Sequence, residues 1–236
     1  RDGNNESGVT DENGQLILPD LTVRHRSYII GYEDGTFRPE GNITRAEAAA
    51  IFARNISEIK DEKIDNGTST FDDVKSGEWY TNYIAYLEKY DIINGYTDGT
   101  FRPDAEITRA EFVTMADRAY SLFADVEDGK ENIFTDINSS HWAAEHIYTA
   151  IAMDWIKGYA DGTFRPDNKI TRAEVVTIVN RVTERNADED FIDENTDDLL
   201  NFSDMKDKGY WAYYDVMEAA NTHDAVIMDK AEIWSE

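Results

Sequence analysis

The chain has 236 residues, of which 49 are acidic and 23 are basic, so its formal net charge is −26. A charge of this sign repels phosphate and excludes a broad nucleic-acid-binding surface. The absence of cysteine excludes disulfides, thiolate metal ligands and cysteine nucleophiles. Hydrophobic residues make up 41% of the chain, enough to bury a core, and no apolar run approaches the roughly 18 residues of a membrane-spanning helix.

The first residues are rich in Gly, Asn and Asp, and the chain begins at Arg1 without a Met or a leader sequence. We therefore expect residues 1–27 to be a linker that arrives from an upstream cargo domain of the same chain.

A segment rich in turn residues follows and occurs three times. GYEDGTFRPEGNITRAEA begins at Gly31, GYTDGTFRPDAEITRAEF at Gly95 and GYADGTFRPDNKITRAEV at Gly158. Repetition at a nearly constant interval is typical of repeat architectures, in which a unit can bury its apolar face only against its neighbours.

A second motif also has three copies, and each reads Phe-x-Asp-aliphatic, a short polar turn, Trp and an amphipathic run. The copies begin at Phe71, Phe134 and Phe202, and apolar residues recur with helical spacing after Trp79 and Trp142. One unit is therefore a first helix, a turn and a second helix.

The two motifs are out of phase at the ends of the chain. No Phe-x-Asp motif precedes Gly31, and no Gly-Tyr-x-Asp-Gly motif follows the copy at residues 202–221. The simplest arrangement is a closed ring of three units, in which residues 202–221 complete the unit that residues 31–56 open. We predict an all-α fold with units at 28–66, 67–130 and 131–200 and a closing half-repeat at 201–236.

The sequence Thr-Arg-Ala-Glu predicts the start of the second helix in each unit. The threonine caps the helix, and the glutamate three residues later hydrogen-bonds back to it, which together form a capping box. We expect N-caps at Thr44, Thr108 and Thr171, paired with Glu47, Glu111 and Glu174.

The arginine inside each capping box falls at the first helical position, where the helix dipole disfavours a cation. Two explanations remain open for Arg45, Arg109 and Arg172. Each could join the free helix N–H groups in binding an anion such as a carboxylate. Alternatively, each could form a salt bridge to a nearby acid, namely Glu40, Asp104 or Asp167.

The remaining repeated residues have a structural and a binding interpretation. The Asp-Gly dipeptides predict turns in which Gly35, Gly99 and Gly162 take positive φ. The helix-opening Trp79, Trp142 and Trp211 are either core anchors or, if exposed, flat faces for a sugar ring. A cap of the preceding turn is favoured for Asp73, Asp136 and Asp204, and hydrogen bonds to sugar hydroxyls are the alternative.

The spacing of the histidines predicts no metal site. His141 and His146 would not share a helix face, and His25 and His223 are isolated in the sequence. No cofactor is expected. Three near-identical motifs suit several copies of one binding site better than one asymmetric active site, so we expect no catalytic residues and no enzyme.

Taken together, Gly-Tyr-x-Asp-Gly-Thr-Phe-Arg-Pro, Ile-Thr-Arg-Ala-Glu and Phe-x-Asp-Val…Trp resemble the S-layer homology domain of bacterial surface proteins, over about residues 28–221. The resemblance implies a pseudo-threefold helical prism. It also implies that the grooves between repeats bind secondary cell-wall polysaccharide, often through a terminal pyruvylated N-acetylmannosamine.

The resemblance further implies roles for the repeated residues. The arginines would hold the ketal carboxylate, the tryptophans and aspartates would line the sugar pocket, and the glycines would let the loop backbone approach the glycan. The ligand-binding residues implied are Arg45, Arg109, Arg172, Trp79, Trp142, Trp211, Asp73, Asp136, Asp204, Gly35, Gly99 and Gly162. The last motif has one more residue between Asp204 and Trp211 than the other two copies have. The groove with Trp211 is therefore expected to differ most.

We expect a non-catalytic, monomeric module on the bacterial cell surface that anchors the cargo domain to an anionic wall glycan, without inserting into the membrane. The alternative is a structural protein whose repeats contact copies of themselves in a surface lattice.

Overall fold

The computed structural model describes residues 9–10, 16–17, 22–123, 132–228 and 231–235. Over these ranges the protein is mostly helical. The helices are α1 (Arg45–Ile59), α2 (Thr81–Lys89), α3 (Arg109–Tyr120), α4 (Ala144–Ala152), α5 (Arg172–Val182), α6 (Glu189–Glu194) and α7 (Tyr213–Ala220). The strands are β1 (Val9–Thr10), β2 (Leu16–Ile17), β3 (Thr22–His25), β4 (His223–Met228) and β5 (Ala231–Ser235).

The three capping boxes predicted from Thr-Arg-Ala-Glu are confirmed. In α1 the Glu47 N–H donates to the Thr44 hydroxyl at 3.2 Å, and the Thr44 N–H donates to the Glu47 carboxylate at 2.7 Å. The same reciprocal pair opens α3 and α5. These satisfied N–H groups explain why each of the three helices begins at its arginine.

The helices pack in pairs, α1 with α2, α3 with α4 and α5 with α7. The pairs share one core, in which the Phe52 ring of α1 lies 5.1 Å from the Phe112 ring of α3, centroid to centroid. Each pair joins a capping-box helix to a helix of the tryptophan motif. The packed pairs therefore join neighbouring predicted units, because each capping-box helix packs against the next tryptophan-motif helix along the chain and not against the one that precedes it in its own unit.

Backbone hydrogen bonds link the three repeated loops in a cycle. The Arg45 N–H donates to Ala105 of the second loop, Arg109 to Asn168 of the third, and Arg172 to Gly41 of the first. Each helix start is thus held by the loop of a different unit.

The C-terminal Phe-x-Asp motif contacts the first loop, as its phase in the sequence predicts. The Ser203 N–H donates to the Gly35 carbonyl at 2.9 Å, and the rings of Phe202 and Phe37 are 5.3 Å apart. The pairs Phe71–Phe101 and Phe134–Phe164 make the equivalent contacts in the second and third loops.

A small antiparallel sheet departs from the all-α prediction. Strand β3 pairs with β4, and β4 pairs with β5, with His25 opposite His223. Strand β3 lies inside the predicted linker, so residues 22–25 are part of the folded structure. The partner strands come from opposite ends of the chain, which local sequence patterns cannot reveal.

Most of the 1–27 segment and the boundary at residues 130 and 131 lie outside the described residues, so the division into domains stays a prediction. Among the described residues, no helix combines the length and the apolar character needed to cross a bilayer.

Candidate functional site

The carboxylates of Asp73, Asp136 and Asp204 hold the repeated loops. Both oxygens of Asp73 accept backbone N–H groups, from Phe101 at 2.7 Å and from Arg102 at 2.7 Å. Asp136 and Asp204 bind the third and first loops in the same way. The carboxylates therefore cap loops that are distant in the sequence, by 28 residues for Asp73 and Asp136 and by 167 for Asp204, and not the preceding turn.

The loops contain residues in the left-handed region of backbone conformation. Gly35, Gly99 and Gly162 have φ of 77°, 84° and 77°, as their Asp-Gly turns predict. Arg102 also has a positive φ, 59°, where a side chain is strained. Its guanidinium compensates by bonding to Asp98 at 2.9 Å while stacking 3.8 Å from the centroid of the Tyr96 ring.

Asp98 is an ionised partner for this arginine over a wide pH range. Hydrogen bonds from Thr100, and then from Arg102, lower the pKa of Asp98 to about 2. The equivalent carboxylates of Asp34 and Asp161 have their pKa values lowered to about 2 by the same two contacts.

Replacing Asp73 with Ala is expected to lower the free energy of unfolding by about 1–3 kcal/mol, because two loop N–H groups lose their acceptor. In a protein of this size the melting temperature should fall by about 2–10 °C. Asp73→Asn, which keeps one acceptor oxygen, should lie in between. The neighbouring exposed Asp72 is the control, since only its backbone N–H bonds to the loop. Equal melting of Asp73→Ala and Asp72→Ala would contradict this role.

The helix-start arginines are buried and bridge two units. Arg45 donates from Nε to the Phe101 carbonyl at 2.7 Å and pairs with Glu111 at 3.0 Å. Arg109 makes the same contacts with Phe164 and Glu174. The predicted acidic partners Glu40, Asp104 and Asp167 are wrong, because the ion pairs that form are with the capping-box glutamate of the next helix.

Arg172 differs from the other two, because its guanidinium is held by backbone carbonyls. It donates to Phe37 at 2.7 Å and to Ile30 at 2.8 Å. Burial lowers the pKa of Arg172. These contacts satisfy a desolvated cation within the first loop.

A first groove, the Trp142 groove, lies where the second unit meets the third. It is a cavity of about 360 Å³, and its wall includes Arg45, Tyr96, Glu111, Arg118 and Trp142. Trp142 is 61% exposed, so its ring is an open face and not a core anchor. The groove thus places a tryptophan beside two arginines.

The Trp211 groove repeats this set of residues one unit further along. It is a cavity of about 230 Å³, lined by Arg109, Tyr159, Glu174, Arg181 and Trp211 among others. The extra residue before Trp211 does not remove the side chain from the groove, and Trp211 is 59% exposed. The groove expected to differ most therefore keeps the tryptophan, the tyrosine, the glutamate and both arginines, but has Lys157 where the Trp142 groove has Asn94.

Trp79 has different surroundings. It lines a cavity of about 510 Å³ together with Asp73 and Arg102, and no helix-start arginine belongs to the wall of that cavity. Tyr83 stands between Trp79 and Arg54: its hydroxyl accepts from Arg54 at 3.3 Å, and its ring lies 6.4 Å from Trp79. His146 and Asp215 occupy the equivalent positions in the other units.

The charges in the Trp142 groove leave one cation uncompensated. Burial works to raise the pKa of Glu111, but hydrogen bonds from Tyr96 and Thr108 and the charge of Arg45 together hold it below its usual value. The ionised Glu111 neutralises Arg45, while Arg118 remains as a second cation on the wall. Such a wall attracts a single negative charge.

Arg118 and Arg181 are groove residues that the sequence interpretation missed. They stand nine residues after Arg109 and Arg172, and Arg54 stands nine after Arg45. Among the residues that the structure describes, the guanidinium of Arg181 has no ion-pair or hydrogen-bond partner, and the residue is exposed. The constant nine-residue spacing could have identified these arginines from the sequence. The repeated Gly-Tyr pair could likewise have identified the groove tyrosines, Tyr96 and Tyr159.

Comparisons with known proteins agree with this repeated architecture. The S-layer homology domain model matches residues 23–49, 70–113 and 133–176. The chain is 39% identical over 204 residues to a cellulosome-anchoring protein of Acetivibrio thermocellus, covering 86% of this chain and 44% of that protein. It is 37% identical over 221 residues to cell surface glycoprotein 1 of the same organism, covering 88% of this chain and 9% of that protein.

A third relative is an amylopullulanase of Thermoanaerobacterium thermosulfurigenes, 34% identical over 183 residues, with 75% of this chain and 9% of that protein covered. The chain thus spans less than half the length of each of these curated relatives. The second and third matched segments each contain a tryptophan motif, a loop and a capping box in that order, whereas the first contains a loop and a capping box, and the Trp211 motif lies outside the matches. The chain therefore belongs to the S-layer homology family and carries three matches to its domain.

Proposed function

We propose that this chain is a non-catalytic module that anchors its protein to an anionic cell-wall polysaccharide. The observation that carries the proposal is the recurrence of one set of residues in the Trp142 and Trp211 grooves, an exposed tryptophan beside a tyrosine and two arginines. An aromatic face suits the apolar side of a sugar ring, and an arginine suits a carboxylate.

The ligand of highest complementarity is a glycan end that carries one carboxylate, such as a pyruvylated N-acetylmannosamine. The Trp142 groove has one cation more than its glutamate neutralises, and the Trp211 groove, which Lys157 also lines, has two, so both match a ligand that carries a carboxylate. The overall charge of −26 repels anions at long range, but screening over about 8 Å at physiological salt restricts that repulsion to the surface. Recognition must then rest on the local contacts of the groove.

The site residues divide into two roles under this proposal. Trp142, Trp211, Arg118 and Arg181 contact the glycan. The buried Arg45 and Arg109 form the groove floor and position the neighbouring loop, and Arg172 does so for the first unit. Asp73, Asp136, Asp204, Gly35, Gly99 and Gly162 shape the loops that border the grooves.

The site at Trp79 is proposed as the weakest of the three. Arg54, the counterpart of Arg118 and Arg181, does not line the cavity of Trp79, and it already donates to the Tyr28 carbonyl and to the Tyr83 hydroxyl, each at 3.3 Å. A carboxylate would have to displace these contacts. Two working grooves on one rigid body still raise the overall avidity, by about 10²–10⁴ over a single site.

The proposed architecture is a pseudo-threefold prism in which residues 201–236 complete the first repeat. The cycle of hydrogen bonds from Arg45, Arg109 and Arg172 supports it, as does the contact between Ser203 and Gly35. A closed body would hold the grooves at fixed separations, which avidity requires.

Wall binding is tested by sedimentation with purified cell-wall sacculi, before and after chemical removal of the non-peptidoglycan polysaccharide. We expect the full chain to pellet with intact sacculi and to stay in solution with stripped ones. Unchanged binding to stripped sacculi would contradict the proposal and favour peptidoglycan. Self-association without wall binding would contradict it in favour of a surface lattice.

A further inference from the structure

The small sheet brings together four side chains that can bind a metal ion. His25 ends β3, Glu218 lies in α7, His223 begins β4 and Glu232 lies in β5. One ligand atom from each of them lies within 4.8 Å of the other three. The prediction that His25 and His223 are isolated is wrong, because their ring centroids are 5.3 Å apart.

Three of the four side chains are buried with unsatisfied polar atoms. Glu218 is 0%, Glu232 6% and His223 7% exposed. Glu218 Oε2, Glu232 Oε2 and His223 Nε2 lack a hydrogen-bond partner within the described residues. A buried charged or polar atom in this state is unstable unless another group compensates it.

The other polar atom of each buried side chain is already held. Glu218 Oε1 accepts from Arg185 Nε at 2.8 Å, and Glu232 Oε1 accepts from the Asn186 N–H at 3.1 Å. His223 Nδ1 lies 3.2 Å from the Asn221 carbonyl, so this nitrogen carries the proton and donates it. These contacts fix the orientation of the unsatisfied atoms, in the way that outer hydrogen bonds orient the ligands of a bound metal ion.

This tautomer leaves the lone pair of His223 Nε2 facing Glu218 Oε2 at 3.4 Å. Two acceptors that face each other repel unless a cation lies between them. His25 Nδ1 completes the cluster, 3.3 Å from Glu218 Oε1 and 3.3 Å from Glu232 Oε2. For bonds of about 2.0–2.2 Å, tetrahedral zinc requires ligand atoms about 3.3–3.6 Å apart.

We propose that His25, Glu218, His223 and Glu232 form a binding site for Zn²⁺ or a similar first-row divalent cation. Two imidazole nitrogens and two carboxylate oxygens are ligands that zinc accepts. Two carboxylates beside one guanidinium, that of Arg185, leave one negative charge, which a proton on His25 offsets when the ion is absent and which the cation offsets when it is bound. All four positions come from the protein, so the site is structural and offers no open position for catalysis.

The position of the site indicates a structural role for the ion. It joins the strand before the first unit to the last helix of the closing half-repeat and to both C-terminal strands. Ion binding therefore stabilises the connection between the two ends of the module, because the ligands are assembled only in the folded state. This inference does not depend on wall binding.

The test uses the full 236-residue chain after chelator treatment and dialysis, with Zn²⁺ alone as the probe. We expect one zinc per chain by calorimetry. At zinc a hundredfold above the dissociation constant, the melting temperature should rise by about 5–10 °C. Co²⁺ should bind with the strong visible absorption of a tetrahedral site.

Glu232→Gln and His25→Gln are the test variants, since each removes one ligand and keeps a similar volume. Zinc affinity should fall at least about a hundredfold in both, whereas His141→Gln, outside the cluster, should bind as the parent does. His25 lies at the exposed edge of the cluster, so its variant serves if Glu232→Gln does not fold. Absence of zinc uptake or of a melting shift in the parent would overturn the proposal. Equal affinity of His25→Gln and His141→Gln would do the same.

Discussion

Removal of residues 200–236 is expected to abolish cooperative folding of the module. The segment contributes Phe202, Tyr213 and Met217, all at most 3% exposed, to the core. Each such side chain contributes about 1.5–3 kcal/mol by burial, against a total stability of about 5–15 kcal/mol for a typical domain. The truncation also exposes α5, the packing partner of α7, and the Phe37 ring.

A shorter truncation provides the matched control. Ending the chain at Asn221 removes β4 and β5 but keeps the Phe-x-Asp motif and α7. This variant should remain helical and melt cooperatively at a lower temperature. Circular dichroism during thermal unfolding distinguishes the two. If the chain ending at residue 199 melted cooperatively at an unchanged temperature, the contact between residues 202–220 and the first unit would not be essential.

The second large effect is expected from the exposed groove residues. Trp142→Ala together with Trp211→Ala should abolish detectable sedimentation with sacculi while leaving the melting temperature nearly unchanged, because both rings are more than half exposed. Arg118→Ala and Arg181→Ala remove a charge-assisted contact of about 1.5–3 kcal/mol each. Each change should therefore weaken its own groove about 10- to 100-fold.

Two further variants separate binding from stability. Trp79→Ala is the matched control for the other tryptophans and should reduce wall binding little, since Tyr83 already engages Arg54. Arg45→Ala should lower both affinity and melting temperature, because it leaves the buried end of Glu111 without its ion pair. Full binding by the Trp142, Trp211 double variant would remove these grooves from the proposed site.

Local sequence patterns predict much of this fold. Thr44, Thr108 and Thr171 begin their helices as the capping box requires, and the glycine of each Asp-Gly turn has positive φ. These features depend on residues a few positions apart. The phase of the repeats also predicts the long-range contact between Phe202 and Phe37, because equivalent motifs make equivalent contacts.

The sheet and the histidine cluster could not be predicted in this way. Arg24 and Asp224 are 200 residues apart in the chain, and their strands have no counterpart in the repeats. Because these strands are not repeated, their contacts cannot be inferred from equivalent motifs elsewhere in the chain. They are also too short to show a clear alternation of apolar and polar residues. His25 and His223 looked isolated for this reason.

The candidate site was predicted in composition but not in detail. The tryptophans are exposed, as a binding face requires, whereas the helix-start arginines are buried and bridge two units. These arginines are buried because the loop of a neighbouring unit covers them, and that contact cannot be seen in the sequence of one unit alone. The half-buried Arg118 and the exposed Arg181 lie about two turns further along their helices, where a charged residue is ordinarily solvated and gives no sign of a site.

The central claim is that the Trp142 and Trp211 grooves bind a glycan end through its carboxylate. Isothermal titration of the full chain with a disaccharide ending in pyruvylated N-acetylmannosamine tests it most directly, beside the same disaccharide without the ketal. The account predicts two molecules bound per chain and about 10- to 100-fold weaker binding without the carboxylate. Equal affinity for the two sugars, or no binding of either, would contradict it.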